Sequence, residues 1–310
     1  MVHVAFVGRF AAAGRLADLL LEQQRPGEDL WCVAAQVARL SGAIEMSDET
    51  SRRAAGVGIG ILGGGPAGLV LAIALARRGI STVVFERDVH PEKAPRFDAE
   101  RSYTIDISGH GRKAIRYIEA SSEFDQRMIP FKGLMLPDGR SLDCEVPGWT
   151  GSRADIVRSL TAVIDGQHRA HVDMRYGAAV EEANVETGTV MVAGVDGVKH
   201  SETFDLLVAA DGAGSIVRAD MQRRVPGFTT RRKSFANYCT MIELDQVDGR
   251  LDREYLHGLS TAPFVVAGAI MGDDGPQSSR WFCAVGTRRE MTHASADDAH
   301  RTATCSTTRQ

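Results

Sequence analysis

The sequence predicts an α/β protein in which a parallel sheet covered by helices is joined to an antiparallel β-sheet. Three observations carry this. Val57 to Glu86 runs as apolar strand, glycine turn, apolar helix, β-branched strand and acid. Leu207 to Arg218 runs as a second buried strand into an Asp-Gly turn and a helix. Short alternating strands punctuated by turns fill much of the chain between and beyond them.

In the first stretch, Gly63-Gly64-Gly65-Pro66-Ala67-Gly68 fits the pattern G-x-G-x-x-G. Gly63 suits the tight turn, Gly65 the close approach of backbone to a pyrophosphate, and Gly68 the packing of helix on strand. The helix start after Gly65 offers free N–H groups and the positive end of the helix dipole to phosphates. Leu69 to Arg78 continues the helix, which Gly79 stops, and Ser81 to Phe85 reads as a buried parallel strand. Glu86 falls at the tip of that strand, where a carboxylate accepts ribose hydroxyls. Strand, turn, helix, strand and acid in this order predict a Rossmann-like nucleotide site. Gly56 to Ala76 carries no charge and is long enough to cross a bilayer. Glycines and Pro66 crowd its first part and its pattern changes from strand to helix midway, so a membrane span is not expected.

Residues 1–45 read as an extension distinct from the rest of the chain, with a strand at Val2 to Val7 and helices at Ala11 to Gln24 and Leu30 to Leu40. Met46 opens a polar lead of the kind that precedes a first Rossmann strand, which suggests a natural start there. Residues 46–225 are expected to form the nucleotide-binding domain. Within them, Asp88 to Phe97 reads as a loop, Ser102 to Ile107 as a strand and His110 to Glu119 as a helix. Pro137-Asp138-Gly139 turns between two short strands, and Ser152 to Ile164 is helical. Strands come next at His171 to Tyr176, Ala179 to Val185, Gly188 to Ala193 and Thr203 to Ala209. Residues 226–290 are expected to contribute an antiparallel sheet through Phe235 to Leu244, Pro263 to Met271 and Trp281 to Val285. Residues 291–310 read as a disordered tail.

Composition narrows the partners. The chain has 310 residues, 44% hydrophobic and 25% charged, with a formal charge of −4, so nucleic acid is not an expected partner. Arg223-Arg224 and Arg231-Arg232-Lys233 are short basic clusters of the kind found on solvated faces. Five cysteines without a C-x-x-C pair suggest neither a zinc site nor a disulfide framework and fit a reducing, cytoplasmic setting. No signal peptide pattern opens the chain. No metal site is expected: His168 and His171 stand at a helix-to-strand junction and read as solvent-facing.

Asp211-Gly212-Ala213-Gly214-Ser215-Ile216-Val217-Arg218 resembles the D-G-x-x-S-x-V-R motif of flavoprotein aromatic hydroxylases, whose fold is glutathione-reductase-like. The resemblance runs from about Val57 to about Arg288. It implies FAD as cofactor, NADH or NADPH as co-substrate, and a small aromatic substrate with O2. It implies hydroxylation through a flavin C4a-hydroperoxide, with the adjacent sheet as the substrate domain. The expected cofactor-binding residues are Gly63, Gly65, Ala67, Gly68, Glu86, Arg87, Arg101, Arg153, Asp211 and Gly212. Arg153 matches a family arginine that opens a helix near the FAD phosphates, where its fork suits oxyanions.

Within that family, Arg101-Ser102, a strand, and His110-Gly111-Arg112-Lys113-Ala114 are most similar to hydroxylases of the kynurenine-3-monooxygenase type. The chain departs from them at Glu100, where they have Gly, at Tyr103-Thr104, where they have Ile-Asn, and at Leu134, where they have an arginine for the substrate carboxylate. Some other electron-rich ring is therefore as good a candidate as kynurenine. Tyr238 and Trp281 are open to two roles, substrate wall or ordinary sheet packing. The family's third motif, Gly-Asp followed by Pro and Gly-x-Gly, is not found, and Asp297-Asp298-Ala299-His300 only echoes it. The resemblance thus predicts a hydroxylase cut short near residue 290, with weak FAD retention. Two alternatives stand beside it: another FAD oxidoreductase of the same superfamily, or a non-catalytic nucleotide-binding fragment. A halogenase W-x-W-x-I-P run is missing around Trp31, Trp149 and Trp281.

Overall fold

The structure is a computed structural model that describes residues 5–8, 58–97, 104–231, 238–244, 247, 249, 251–261 and 263–287. The chain divides into two compact units, one from residues 1–95 and 160–231, the other from 96–159 and 232–310. Each is thus made of two stretches of chain. Sequence patterning places one boundary at residue 225, whereas residues 96–159 cluster with the second unit. Local patterns predict strands and helices but carry no information about which distant stretch will pair with them.

The first unit holds a five-stranded sheet in the order β1-β11-β2-β3-β7. Its parallel members are β2 (Ile59–Leu62), β3 (Thr82–Glu86), β7 (Val172–Tyr176) and β11 (Leu206–Ala209). At the edge, β1 (Ala5–Gly8) pairs antiparallel with β11, Ala5 opposite Ala209. The helices predicted at Ala11 to Gln24 and Leu30 to Leu40, and Met46, lie outside the described residues.

The helix α1 (Pro66–Ala76) has Pro66 at its first turn, where a missing N–H costs nothing. Its leucines, Ile73 and alanines 72, 74 and 76 are buried nearly all round, which explains why it carries no charge. Gly79 ends it at φ +72°, with its N–H on Ala76 O and that of Ile80 on Leu75 O.

A three-stranded antiparallel sheet covers the other face of this unit: β8 (Ala179–Asn184), β9 (Thr189–Ala193) and β10 (Lys199–Thr203). The pattern from Thr203 to Ala209 reads in sequence as one strand. It is two, because the chain leaves this sheet at Phe204 and enters the parallel one at Leu206, tied there by the N–H of Asp205 on Gly58 O. Phe204 meets Phe85 edge to face, centroids 5.7 Å apart, in a core with Leu62, Val190, Val192, Leu207 and Val217.

The second unit is a seven-stranded sheet in the order β12-β15-β14-β13-β5-β6-β4. Its strands are β4 (Thr104–Ile107), β5 (Ile129–Met135), β6 (Ser141–Ser152), β12 (Tyr238–Leu244), β13 (Tyr255–Thr261), β14 (Phe264–Gly272) and β15 (Gly275–Thr287). The expected antiparallel pattern holds except between β13 and β5, which run parallel with Tyr255 opposite Gly133.

Helices α2 (Gly109–Tyr117) and α3 (Ser121–Arg127) come after β4. Trp149 packs on Phe124 and donates its indole N–H to Asp125 at 2.8 Å. Residues 288–310, including the predicted tail, lie outside the described residues. No described helix is long and apolar enough to cross a membrane.

Candidate dinucleotide site

Three adjacent parallel strands end together. Leu62 of β2 stands opposite Phe85 of β3 on one side and Ala209 of β11 on the other. The glycine turn leaves β2, Glu86 ends β3, and Asp211-Gly212 comes after β11, so the sequence motifs meet at the carboxyl edge of one sheet. In open α/β sheets this edge is where ligands sit.

Backbone geometry shapes the turn. Gly63 has φ +107°, and a Cβ there would lie 2.5 Å from Ala210 O. A Cβ on Gly68 would lie 2.0 Å from Gly63 O, so the helix start is pressed directly onto the turn. Gly65 is the N-cap of α1 in extended conformation, and its carbonyl accepts from Leu69 N at 3.0 Å. The N–H groups of Ala67 and Gly68 lie in the first turn and have no helical acceptor. They are the donors a phosphate would take.

Glu86 braces this cradle. Its Oε2 accepts from Gly64 N at 2.8 Å and its Oε1 from Asp88 N at 2.9 Å, which fixes the carboxylate while each oxygen keeps a further lone pair for a ribose hydroxyl. A Cβ on Gly64 would meet Glu86 Cβ at 2.9 Å, so the second glycine of the motif makes room for the acid. Arg87, next to it, is exposed and 4.0 Å from Asp88.

The Asp-Gly turn is held as firmly. Asp211 Oδ2 accepts from Ile216 N at 2.9 Å, Gly212 has φ +75°, and Ser215 caps α5 (Ile216–Arg224) by accepting from Arg218 N at 3.0 Å. Beneath it, buried Asp220 accepts from Val185 N at 3.0 Å and from Arg223 and Arg224 at 2.9 Å each. Burial would raise this carboxyl, but those three donors outweigh it and hold it below the ordinary carboxylate range.

Of the other expected ligands, Arg153 is an exposed residue at the start of α4 (Arg153–Val163), in the stretch that clusters with the second unit. Its helix start is a capping box: Ser152 Oγ accepts from Asp155 N at 3.1 Å and Asp155 Oδ2 from Ser152 N at 3.0 Å. Asp155 also pairs with Arg96 at 2.9 Å. Arg101 lies outside the described residues, as do Glu100, Ser102 and Tyr103.

One neighbour of the cradle has no counterpart among the sequence expectations. Tyr176 on β7 stands opposite Glu86, and the ring of His90 lies 4.9 Å from it. His90 Nδ1 accepts from Glu92 N at 3.2 Å, so Nε2 carries the proton toward Asp165 Oδ2, also at 3.2 Å. Burial pushes the Tyr176 phenol up, the neighbouring Thr161 hydroxyl opposes this, and the charges of Asp165 and Glu86 add to the rise. No local signal marks Tyr176, because its place beside Glu86 comes from strand order.

Comparison with known proteins agrees with this geometry. Residues 57–304, well over half of the chain, match the family model described as FAD binding domain. The chain is 30% identical over 179 residues to a kynurenine 3-monooxygenase of Stenotrophomonas maltophilia (strain K279a), covering 54% of this chain and 38% of that protein. It is 24% identical over 251 residues to a kynurenine 3-monooxygenase of Candida albicans, covering 76% and 54% respectively. The chain thus spans only about two fifths to half of these relatives.

Two solved structures share the fold. One is p-nitrophenol 4-monooxygenase PnpA from Pseudomonas putida DLL-E4, with TM-score 0.56, 17% identity, and 78% of this chain and 60% of that one covered. The other is a triple mutant of the flavin-dependent brominase Bmp2, with TM-score 0.52, 16% identity, and 74% and 56% covered. A tight glycine cradle, a braced acid and a rigid Asp-Gly turn meet on one sheet edge, and the chain belongs to the FAD binding domain family.

Proposed function

We propose that this chain acts in the hydroxylation of a small aromatic substrate, using FAD, O2 and NADH or NADPH. The observation that carries the reading is the convergence of Gly63, Gly68, Glu86 and Asp211 on the ends of three adjacent strands. When bound, FAD supplies the reduced flavin that reacts with O2 and delivers one oxygen atom to an electron-rich ring, the other leaving as water.

The chain's own residues bind and orient. Gly63, Gly65, Ala67 and Gly68 hold the pyrophosphate through backbone N–H groups, and Glu86 holds the adenosine ribose. Asp211 and Gly212 form the second wall at the pyrophosphate. Arg87, Arg101 and Arg153 are proposed as cations facing the cofactor's phosphates and adenosine.

The ring itself is proposed to differ from an amino-acid substrate. Leu134 of β5, which replaces the carboxylate-binding arginine of the kynurenine-type motif, stands opposite Leu142 and Leu256. Lys132 beside it is ion-paired with Glu254, which with Asp252 and Tyr255 pushes its pKa up and keeps it charged.

Anaerobic reduction and oxygen uptake test the reading. The FAD-loaded chain is expected to oxidise NADH or NADPH faster with a hydroxy- or amino-benzene present and to incorporate labelled oxygen from 18O2 into the ring. Failure to oxidise either nucleotide with any such ring would overturn it.

A further inference from the structure

One strand of the sheet that carries the dinucleotide site comes from outside the family match. Residues 57–304 match the FAD binding domain, yet β1, residues 5–8, forms the edge of that sheet beside β11. The pairing covers all of β11: Ala5, Phe6, Val7 and Gly8 stand opposite Ala209, Val208, Leu207 and Leu206. It runs antiparallel, whereas β11 with β2, β2 with β3 and β3 with β7 are parallel.

Backbone alternation shows which groups β1 satisfies. Ala210 donates its N–H to Leu62 O at 2.8 Å, which turns the backbone groups of Ala210, Val208 and Leu206 toward β2. Leu207 and Ala209 then turn theirs the other way, toward Val7 and Ala5. Leu207 and Ala209 are buried, and without β1 their N–H and C=O groups would lose their partners on that side. Unpaired backbone groups of this kind cost free energy wherever water does not replace the partner.

The strand so held carries one wall of the site. Only Ala210 separates Ala209 from Asp211, whose carboxylate fixes the Asp-Gly turn through Ile216 N. Ala210 O is also the atom on which the glycine turn closes, 2.5 Å from where a Cβ of Gly63 would be. A strand paired on both sides opens less readily than one paired on a single side. The seating of β11 therefore sets the spacing between the two turns.

We propose that residues 5–8 are a positioning strand for the cofactor: they hold β11 in place and so set the affinity of the Asp-Gly wall for the FAD pyrophosphate. The proposal rests on the FAD reading of the site and deepens it, adding a determinant that lies outside the family match. Ala5 and Val7 act through their backbone N–H groups, which proline lacks. Coupling between two sites is reciprocal, so bound FAD must in turn steady the pairing of β1 with β11.

Residue-resolved hydrogen exchange on the full chain, with and without FAD, and FAD titration of paired variants test this. In the wild type the Leu207 and Ala209 amides are expected to be protected, and saturating FAD to slow their exchange further. Val7→Pro and Ala5→Pro are each expected to weaken FAD binding about tenfold and to speed exchange at Leu207 and Ala209, as loss of one backbone hydrogen bond predicts. Val7→Ile and Ala5→Val, which keep the N–H, are expected to match the wild type. The proposal is overturned if the wild-type Leu207 and Ala209 amides are unprotected, if FAD leaves their exchange unchanged, if the folded proline variants bind FAD like the wild type, or if Val7→Ile and Ala5→Val lose as much affinity as they do. The wild-type exchange decides the matter if the proline variants do not fold. A wild-type chain that binds no FAD overturns the FAD reading and this proposal together, whereas any of the other failures in a chain that binds FAD overturns this proposal alone.

Discussion

The two sheets of this chain handle polarity in opposite ways. At the edge of the parallel sheet the polar groups that converge are mainly backbone: N–H groups of a helix start and a glycine turn, braced by Glu86 through its bond to Gly64 N. In the seven-stranded sheet they are side chains, brought together from β4 and β6 by register. The difference is clearest in two aspartates, buried Asp220 and half-buried Asp106. Asp220 of the first unit has three donors and is held charged. Asp106 of the second has an oxygen with none, and burial favours its neutral form.

The largest expected effect breaks the backbone cradle. Gly68→Val would force a side chain against Gly63 O, where even a Cβ would come within 2.0 Å. Overpacking and backbone displacement are expected to cost about 3 kcal/mol in urea unfolding and to abolish FAD binding. A variant with unchanged stability and FAD affinity would show that the turn is not as tight as described.

Smaller effects separate the two aspartates by pH. Asp220 has a lowered folded-state pKa, so its contribution is present above the ordinary carboxylate value and is lost as pH falls through the folded value. Asp220→Asn is expected to cost about 2 kcal/mol at neutral pH and to reduce the acid loss of stability. Asp106 has the opposite sign: its raised pKa means that stability falls as pH rises from the ordinary aspartate value through the raised one. Asp106→Asn is therefore expected to be at least as stable as wild type at neutral pH. Parallel pH profiles from the two variants would erase the contrast between the units.

The same contrast explains what the sequence could disclose. Gly63, Gly65, Gly68 and Glu86 are legible because their spacing along the chain is the site's geometry: one turn, one helix start, one strand tip. Asp211 is legible because an Asp-Gly turn is local too. The register that sets Tyr176 opposite Glu86, or Asp106 opposite Thr150, joins stretches far apart in sequence, and nothing in either stretch encodes the partner. For the same reason β13, flanked by strands that the pattern does reveal, is missed in sequence along with its parallel pairing to β5. Trp281, open to either role from sequence, lies against Ile129, Ala269 and Met271.

We propose that the end of the parallel sheet holds the adenosine diphosphate half of FAD. Titration of FAD into the full chain, monitored by flavin fluorescence and competed with ADP, tests it most directly, with Glu86→Gln measured in parallel. Saturable one-to-one binding that ADP displaces, weakened about tenfold in Glu86→Gln, is the predicted result. A folded wild-type chain that binds neither FAD nor ADP would contradict it.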